Sequence, residues 1–285
     1  MWYARIQERQ PTSGNLVSVI TFAIVGHNEA DTIGHVVDMT LAAAGPRDRV
    51  IVVDSASTDG TGAVAEKHGV EVLRAPIGKG AAMSVAVSAT ETEWICFLDA
   101  DLLNASHNIP ALLKEAVTAE TTAAHIVGDF DAGPKAILSN TMVIYTPLVA
   151  GLFPEIAGRL GTKPLTGFRA VRTEVMPRDL PDGYGVEAHI NICIAMAGHE
   201  SRVIDIGFFD GKFKPHLTMG QEIATAILDL GVRFGRLSPA ARPAWEEWVA
   251  QTLRVISHTK VPDEERDAYL DRLAQAAARP LPAAS

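Results

Sequence analysis

Asp99-Ala100-Asp101 places two carboxylates at positions i and i+2, directly after the apolar run WICFL. In an extended or tight-turn segment, such a pair can converge on one hard divalent cation, Mg²⁺ or Mn²⁺. The cation's remaining oxygens would come from a diphosphate. Held this way, it would offset the negative charge growing on a departing nucleoside diphosphate, a Lewis-acid role. Alone, Asp-x-Asp is as readily a solvated turn, and its place after a buried strand is what points to metal. Lys79 lies between glycines in Ile77-Gly78-Lys79-Gly80-Ala81. At a helix start, exposed amides and the positive end of the dipole would favour a phosphate, and the ammonium adds a point charge. The alternative is a surface lysine in a flexible turn. The P-loop pattern G-x-x-x-x-G-K-[ST] is absent from the sequence.

Two further polar clusters follow apolar runs. Asp54 and Ser55 come after RVIVV, where a carboxylate can accept hydrogen bonds from a ribose or a base. His27, Asn28 and Glu29 come after VSVITFAIVG and could meet a nucleoside, with Glu29 doubling as a helix-start charge. Asp59, in the loop SASTDG, reads as a cap for the next helix. Glu187 sits in GYGVE, where glycines let the backbone turn sharply and approach a ligand. Its carboxylate suits sugar hydroxyls or an acceptor hydroxyl; the alternative is a charge that only opens a helix.

These residues need a scaffold that gathers them. Strands are predicted at residues 17–25, 49–53, 70–73 and 94–98, and helices at 31–43, 61–68 and 81–89. That alternation predicts a mostly parallel sheet with helices on both faces. Such sheets bind ligands beyond the carboxyl ends of their strands, which is where the polar clusters fall. Further along, the sequence predicts a strand at 124–129, an apolar helix at 136–149, a helix at 188–197 and a strand at 201–208. Three helices follow, at 219–234, 239–259 and 263–278, with Trp245, Trp248, Val249, Leu253 and Ile256 as an apolar stripe suited to a core or interface. The tail after residue 278 is expected to fray.

Composition sets the outer bounds. With 285 residues, 47% apolar and 21% charged, the chain is long enough for one large domain with an appendage. A net charge of −9 argues against a nucleic-acid coat protein, which needs a basic face. It does not exclude a nucleotide, because one metal ion offsets two phosphates locally. Cys96 and Cys193 lie in apolar runs and read as buried hydrophobes of a reducing compartment. Residues 1–14 carry charges where an export signal needs an apolar core. Residues 142–154 fall short of the roughly 20 apolar residues that span a bilayer. A cytoplasmic protein without stable membrane insertion is therefore expected.

The order IVGHNEADTIGHVV, VVDSASTDGTG, GKGAAM and WICFLDADL resembles the nucleotide-sugar-binding half of GT-A-fold, family-2-like glycosyltransferases. The later stretch NTMVIYTPLVAGLFPEIAGRLGTKPLTGFRAVRTEV, followed by GYGVEAHINI, resembles the glucosyl-3-phosphoglycerate synthases. The resemblance covers roughly residues 17–235. It implies an α/β, Rossmann-like GT-A fold with a helical C-terminal extension. On this reading the chain divides into an N-terminal segment 1–16, a nucleotide-sugar half 17–125, an acceptor half 126–216 and C-terminal helices 217–285. It implies nucleoside contacts at His27, Glu29, Asp54 and Ser55, with Asn28 and Ala100 in the same donor-binding clusters. It implies a diphosphate contact at Lys79 and metal at Asp101 with Asp99 nearby. Leu165, Thr166 and Gly167 would line the sugar or acceptor side, and Glu187 would contact the transferred sugar.

The activity implied is transfer of a hexose, glucose from UDP-glucose, to a small hydroxyl acceptor, with Mg²⁺ or Mn²⁺, by a homodimer. Retention of anomeric configuration is implied, in which case a donor phosphate oxygen takes the acceptor proton; under inversion Glu187 is the first candidate base. Two departures bear on this. The synthases carry a metal-binding histidine after the late strand; the match here falls near Gly211, with Asp210 or, preferably, His216 as substitutes. They also hold a phosphorylated acceptor with Gly-Arg-x-Thr, where this chain has Leu138-Ser139-Asn140-Thr141 and Lys135 as the nearest cation. Bidentate arginine is hard to replace for phosphate, so an acceptor without one is expected. A nucleotidyltransferase, a non-catalytic nucleotide-sugar-binding relative and a polyprenyl-phosphate acceptor are the alternatives; VGHNEADT lacks the glycine-rich basic loop of the first.

Overall fold

The structure, a computed structural model, describes residues 19–102, 105–119, 122–133, 136–209, 217–259 and 261–285. Strands β1 (Ile20–Gly26), β2 (Arg49–Ser55), β3 (Glu71–Ala75) and β4 (Trp94–Asp99) pair in parallel in the order β3-β2-β1-β4. Beyond β4 the sheet continues through β6 (Arg169–Arg172), β5 (His125–Asp131) and β7 (Ser201–Phe208). β6 runs antiparallel to both its neighbours, and β5 pairs with β7 in parallel. The sheet is thus mostly parallel, as expected.

Period-two alternation decides which side each strand residue covers. Ile20, Phe22 and Ile24 of β1 share a core with Ile33, Val36 and Val37 of helix α1 (Ile33–Ala43) and with Ile109 and Leu113 of α4 (Ile109–Thr118). Ala23 and Val25 face the other way, onto Ala82, Met83 and Ala86 of α3 (Lys79–Ser88) and Val186, Ile190 and Ile194 of α6 (Val186–Met196). Helix α2 (Thr61–Lys67) follows β2. Because both faces are covered, the central strands read as continuous apolar runs rather than alternating ones.

A third core belongs to the C-terminal helices. Ala188 and Ile192 of α6 pack with α5 (Thr146–Leu152), α7 (Met219–Arg233), α8 (Arg242–Leu253) and α9 (Arg266–Ala277). α6 therefore buries two different faces, one on the sheet and one on this bundle, which is why it is apolar almost all round.

The structure corrects the sequence expectations in several places. The helix expected at 136–149 is a π-helix, Thr141–Tyr145, running into α5. Pro147 has no N–H to donate, and the widened turn ahead of it accommodates that gap, with the Thr146 N–H reaching Thr141 O. α8 is shorter than the 239–259 predicted, because a turn from Val255 N–H to Thr252 O ends it. Two elements were not foreseen. α4 starts at Asn108, whose side chain accepts from the Ala111 N–H at 3.0 Å. β6 has four residues, RAVR, too few to show a period. Among the described residues no helix is long and apolar enough to cross a membrane.

Trp245 anchors the C-terminal core at 1% exposure, and its indole N–H donates to Ala283 O at 3.0 Å. Trp245→Ala is expected to destabilise the protein by about 3–5 kcal/mol through lost burial and a residual cavity. Urea unfolding followed by circular dichroism measures this; a loss below about 1 kcal/mol would mean that the helices do not form one cooperative core with the sheet.

Candidate active site

The carboxyl ends of β1, β2 and β4 lie side by side, with Gly26 opposite Asp54 and Val25 opposite Asp99. This adjacency brings the three polar clusters to one edge of the sheet. A side chain at Gly26 would put its Cβ 2.7 Å from the Ala100 Cβ, so glycine there lets the Asp99–Asp101 turn cross the end of β1. Ala100 O accepts from the Thr32 hydroxyl at 2.7 Å, tying the turn to the start of α1. The Ala100 side chain is 3% exposed and faces inward, where it shapes the turn.

Lys79 is the centre of the charge arrangement. Its Nζ lies 3.0 Å from Asp99 Oδ1 and 2.6 Å from Glu187 Oε1. The Glu187 side chain is 3% exposed, and its Oε1 meets the Lys79 ammonium in a buried ion pair. Burial acts to lower the pKa of Lys79, but Asp99 and Glu187 together outweigh it and the net shift is upward. The ammonium therefore stays charged throughout the physiological range.

The expectation of exposed amides at the start of α3 needs correction. The Ala81 N–H donates to Asp182 O at 2.9 Å, and a Cβ on Gly80 would sit 1.8 Å from Pro181 O. The loop before GYGVE thus closes over the helix start. Gly78, at φ +134°, makes the turn that precedes it, a conformation L side chains rarely adopt. The Ser55 hydroxyl donates to Pro76 O at 2.9 Å and accepts from the Gly78 N–H at 3.0 Å. Ser55 is therefore a buried tie between β2 and the start of α3.

The other predicted nucleoside residues form a latched rim. His27 Nδ1 donates to Ser55 O at 2.6 Å, which fixes the ring tautomer. Asn28, in the left-handed region at φ 57°, accepts from the Thr58 N–H at 2.8 Å. The Glu29 N–H donates to the Thr61 hydroxyl at 2.8 Å, and the Glu29 side chain is buried. Asp59 accepts from the Thr61 N–H at 2.9 Å and from the Ala30 N–H at 2.9 Å, tying the first turn of α2 to the 27–30 loop, while the N-cap position itself is held by Gly60 and not by Asp59 as expected. Asp54 is 1% exposed, accepts from the Ser57 N–H at 2.9 Å and is paired with Arg74. Arg74 carries no sequence signal beyond its place in β3.

On the opposite side, a Cβ on Gly167 would lie 2.3 Å from Asp99 Oδ1, so the Leu165-Thr166-Gly167 segment abuts the metal-candidate carboxylate. Thr166 is buried and Leu165 packs toward the C-terminal core. Glu222, in the first turn of α7, accepts from the Tyr184 N–H at 2.7 Å and holds GYGVE in place. Asp101 stands half-buried two residues after Asp99. His216, Asp210 and Lys135 lie outside the described residues, and among the described residues no three His, Cys, Asp or Glu side chains form a metal-binding group. The donor set of two carboxylates fits Mg²⁺ or Mn²⁺ completed by phosphate oxygens, because such ions commonly take one or two protein carboxylates plus substrate.

The sequence profile described as "Glycosyl transferase family 2" matches residues 21–172, more than half of the chain. This chain belongs to glycosyl transferase family 2. The matched span holds β1 to β4, Lys79, the Asp99–Asp101 turn and the Gly167 loop. The family 2 chain is 32% identical over 199 residues to the glucosyl-3-phosphoglycerate synthase of Mycolicibacterium paratuberculosis, covering 61% of this chain and 58% of that protein. It thus spans under two thirds of the length of that curated relative. Its fold matches the mannosyl-3-phosphoglycerate synthase of Rubrobacter xylanophilus at TM-score 0.69 and 26% identity, over 78% of this chain and 77% of that one. It also matches the Mycobacterium tuberculosis glucosyl-3-phosphoglycerate synthase in complex with Mn²⁺, UDP and glucosyl-3-phosphoglycerate. That match has TM-score 0.65 and 25% identity, over 74% of this chain and 79% of that one. The fold is GT-A.

Gly167→Ala sets a Cβ against the Asp99 carboxylate and is expected to displace it while leaving the three apolar cores intact. Nucleotide-sugar affinity is expected to fall by about 10-fold or more, with the melting temperature moving by no more than about 2–4 °C. Calorimetric titration beside a thermal melt checks this; wild-type affinity in the variant would show that the loop does not set the position of Asp99.

Proposed function

We propose that this chain is a metal-dependent hexosyltransferase that moves glucose from UDP-glucose to a small hydroxyl acceptor. The observation that carries the reading is the Lys79 ammonium held between Asp99 and Glu187, beyond the carboxyl ends of the strands and within the GT-A half. Asp101 and Asp99 would hold Mg²⁺ or Mn²⁺, which when bound offsets the charge of the two donor phosphates. Lys79 supplies fixed positive charge beside the same place, where charge develops as the diphosphate leaves. His27, Asp54 and the loop they latch border the nucleoside; Leu165, Thr166 and Gly167 border the sugar.

Glu187 is buried with Oε1 on the ammonium, which suits a carboxylate that accepts sugar hydroxyls and is poorly suited to a mobile proton acceptor. This supports retention of configuration, in which the acceptor proton passes to a donor phosphate oxygen. Ser139, half-buried just ahead of the π-helix, stands where the resembled synthases carry arginine. The acceptor is accordingly a small hydroxyl compound without a phosphate, such as glycerate. Two unpaired cysteines, Cys96 and Cys193, suit a cytoplasmic enzyme, and a homodimer is the assembly we propose, testable by light scattering.

Calorimetry with UDP-glucose and GDP-mannose, with Mn²⁺ or Mg²⁺ and then with EDTA, tests the donor. Binding of UDP-glucose is expected only with metal and is expected to be lost in Asp101→Ala. Mass spectrometry of mixtures with glycerate and with 3-phosphoglycerate then names the acceptor, with a hexosyl glycerate expected. A donor that binds with no turnover on either acceptor would favour a non-catalytic relative, and no nucleotide-sugar binding at all would contradict the reading.

A further inference from the structure

Arg169 opens β6 and is 0% exposed, yet its hydrogen bonds among the described residues all go to neutral acceptors. Nε donates to Thr166 O at 3.1 Å, and Nη2 to the same carbonyl at 2.5 Å and to Pro164 O at 3.2 Å. Nη1 donates to Asn191 Oδ1 at 2.9 Å. Asn191, also 0% exposed, donates from Nδ2 to Pro164 O at 2.8 Å and to the Tyr145 hydroxyl at 3.2 Å. A buried cation without a hydrogen-bonded carboxylate is costly, and a core of similar volume built from apolar side chains is often as stable. Stability alone therefore does not account for an arginine here.

Its placement does. The two carbonyls it binds, Pro164 and Thr166, belong to the turn that ends at Gly167, where there is no room for a Cβ beside Asp99. Asn191 lies one helical turn after Glu187 on α6, so the two share a face of that helix. Tyr145 closes the π-helix. The guanidinium thus ties the loop against Asp99 to the helix carrying Glu187, and Asn191 extends the network to the π-helix through the Tyr145 hydroxyl. The Arg169 charge also acts on Glu187 and Asp99 through the protein interior.

We propose that Arg169 is a positioning residue for the transferred sugar, acting through the Pro164–Gly167 turn and Asn191. This rests on the reading above that the turn borders the sugar of the donor. The rigid fork spreads its donors in fixed directions toward two carbonyls and an amide, a pre-organised geometry that the compact ammonium of lysine, with its rotatable donors, does not reproduce. A displacement of about 1 Å at such a wall can lower turnover by about 100-fold.

The test compares UDP with UDP-glucose, each with Mn²⁺, in Arg169→Lys and Tyr145→Phe, with urea unfolding in parallel. UDP affinity is expected to stay at the wild-type value in both variants. UDP-glucose affinity is expected to fall by about 10-fold in Arg169→Lys and by a smaller factor of the same sign in Tyr145→Phe. Equal losses for the two ligands, or no loss for either, would overturn the proposal, because a merely structural network has no reason to single out the sugar. If Arg169→Lys does not fold, Tyr145→Phe decides alone by the same ratio. Wild-type protein that binds UDP-glucose beside unchanged variants overturns this inference only; wild-type protein that binds no nucleotide sugar overturns the site reading and this inference with it.

Discussion

An ammonium pinned between two carboxylates is the constraint on which the site depends. Lys79 comes from the start of α3, Asp99 from the end of β4 and Glu187 from the start of α6. Opposite charges this close in a partly buried place attract strongly, but only if the backbone delivers them there. That delivery is made by close backbone approach. Gly80 lets the 181–182 loop press on α3, Gly167 lets its turn press on Asp99, and Gly26 lets the Asp99–Asp101 turn cross β1. The mostly parallel sheet with two covered faces is the platform that keeps these approaches, and with them the charges, fixed in place.

Much of this was legible in the chain. The strands β1, β2 and β4 announce themselves because a strand buried on both faces must be apolar throughout, and polar residues then mark its carboxyl end. Lys79, Asp99, Asp101 and Glu187 were found this way, from residue type and position relative to a strand or a glycine. The structure brings Lys79, Asp99 and Glu187 together, with the ammonium lying on the two carboxylates.

What could not be read depends on neighbours remote in sequence. Arg169 looks like a surface residue in a four-residue strand; its burial is set by β4, β5 and α6 folding around it. Asn191 reads as one polar break in an apolar helix, and nothing local shows that it faces an arginine. Glu222 looks like an ordinary first-turn acid until GYGVE is seen to dock on it. The amide of Ala81 was expected to be open, yet the carbonyl that satisfies it comes from Asp182, about a hundred residues along the chain. Local signals carry strand ends and caps, whereas the closing of a site over itself is a tertiary event.

The two solved relatives carry different sugars in their names, mannosyl and glucosyl, on the same fold. The account stands or falls on the place of the charge arrangement around Lys79. Crystals grown with UDP and Mn²⁺, and measured for anomalous scattering from manganese, locate it directly. The account predicts one manganese peak against the Asp99 and Asp101 carboxylates and the diphosphate, with Lys79 beside the phosphate oxygens. Manganese bound elsewhere, or UDP seated away from the carboxyl ends of β1, β2 and β4, would contradict it.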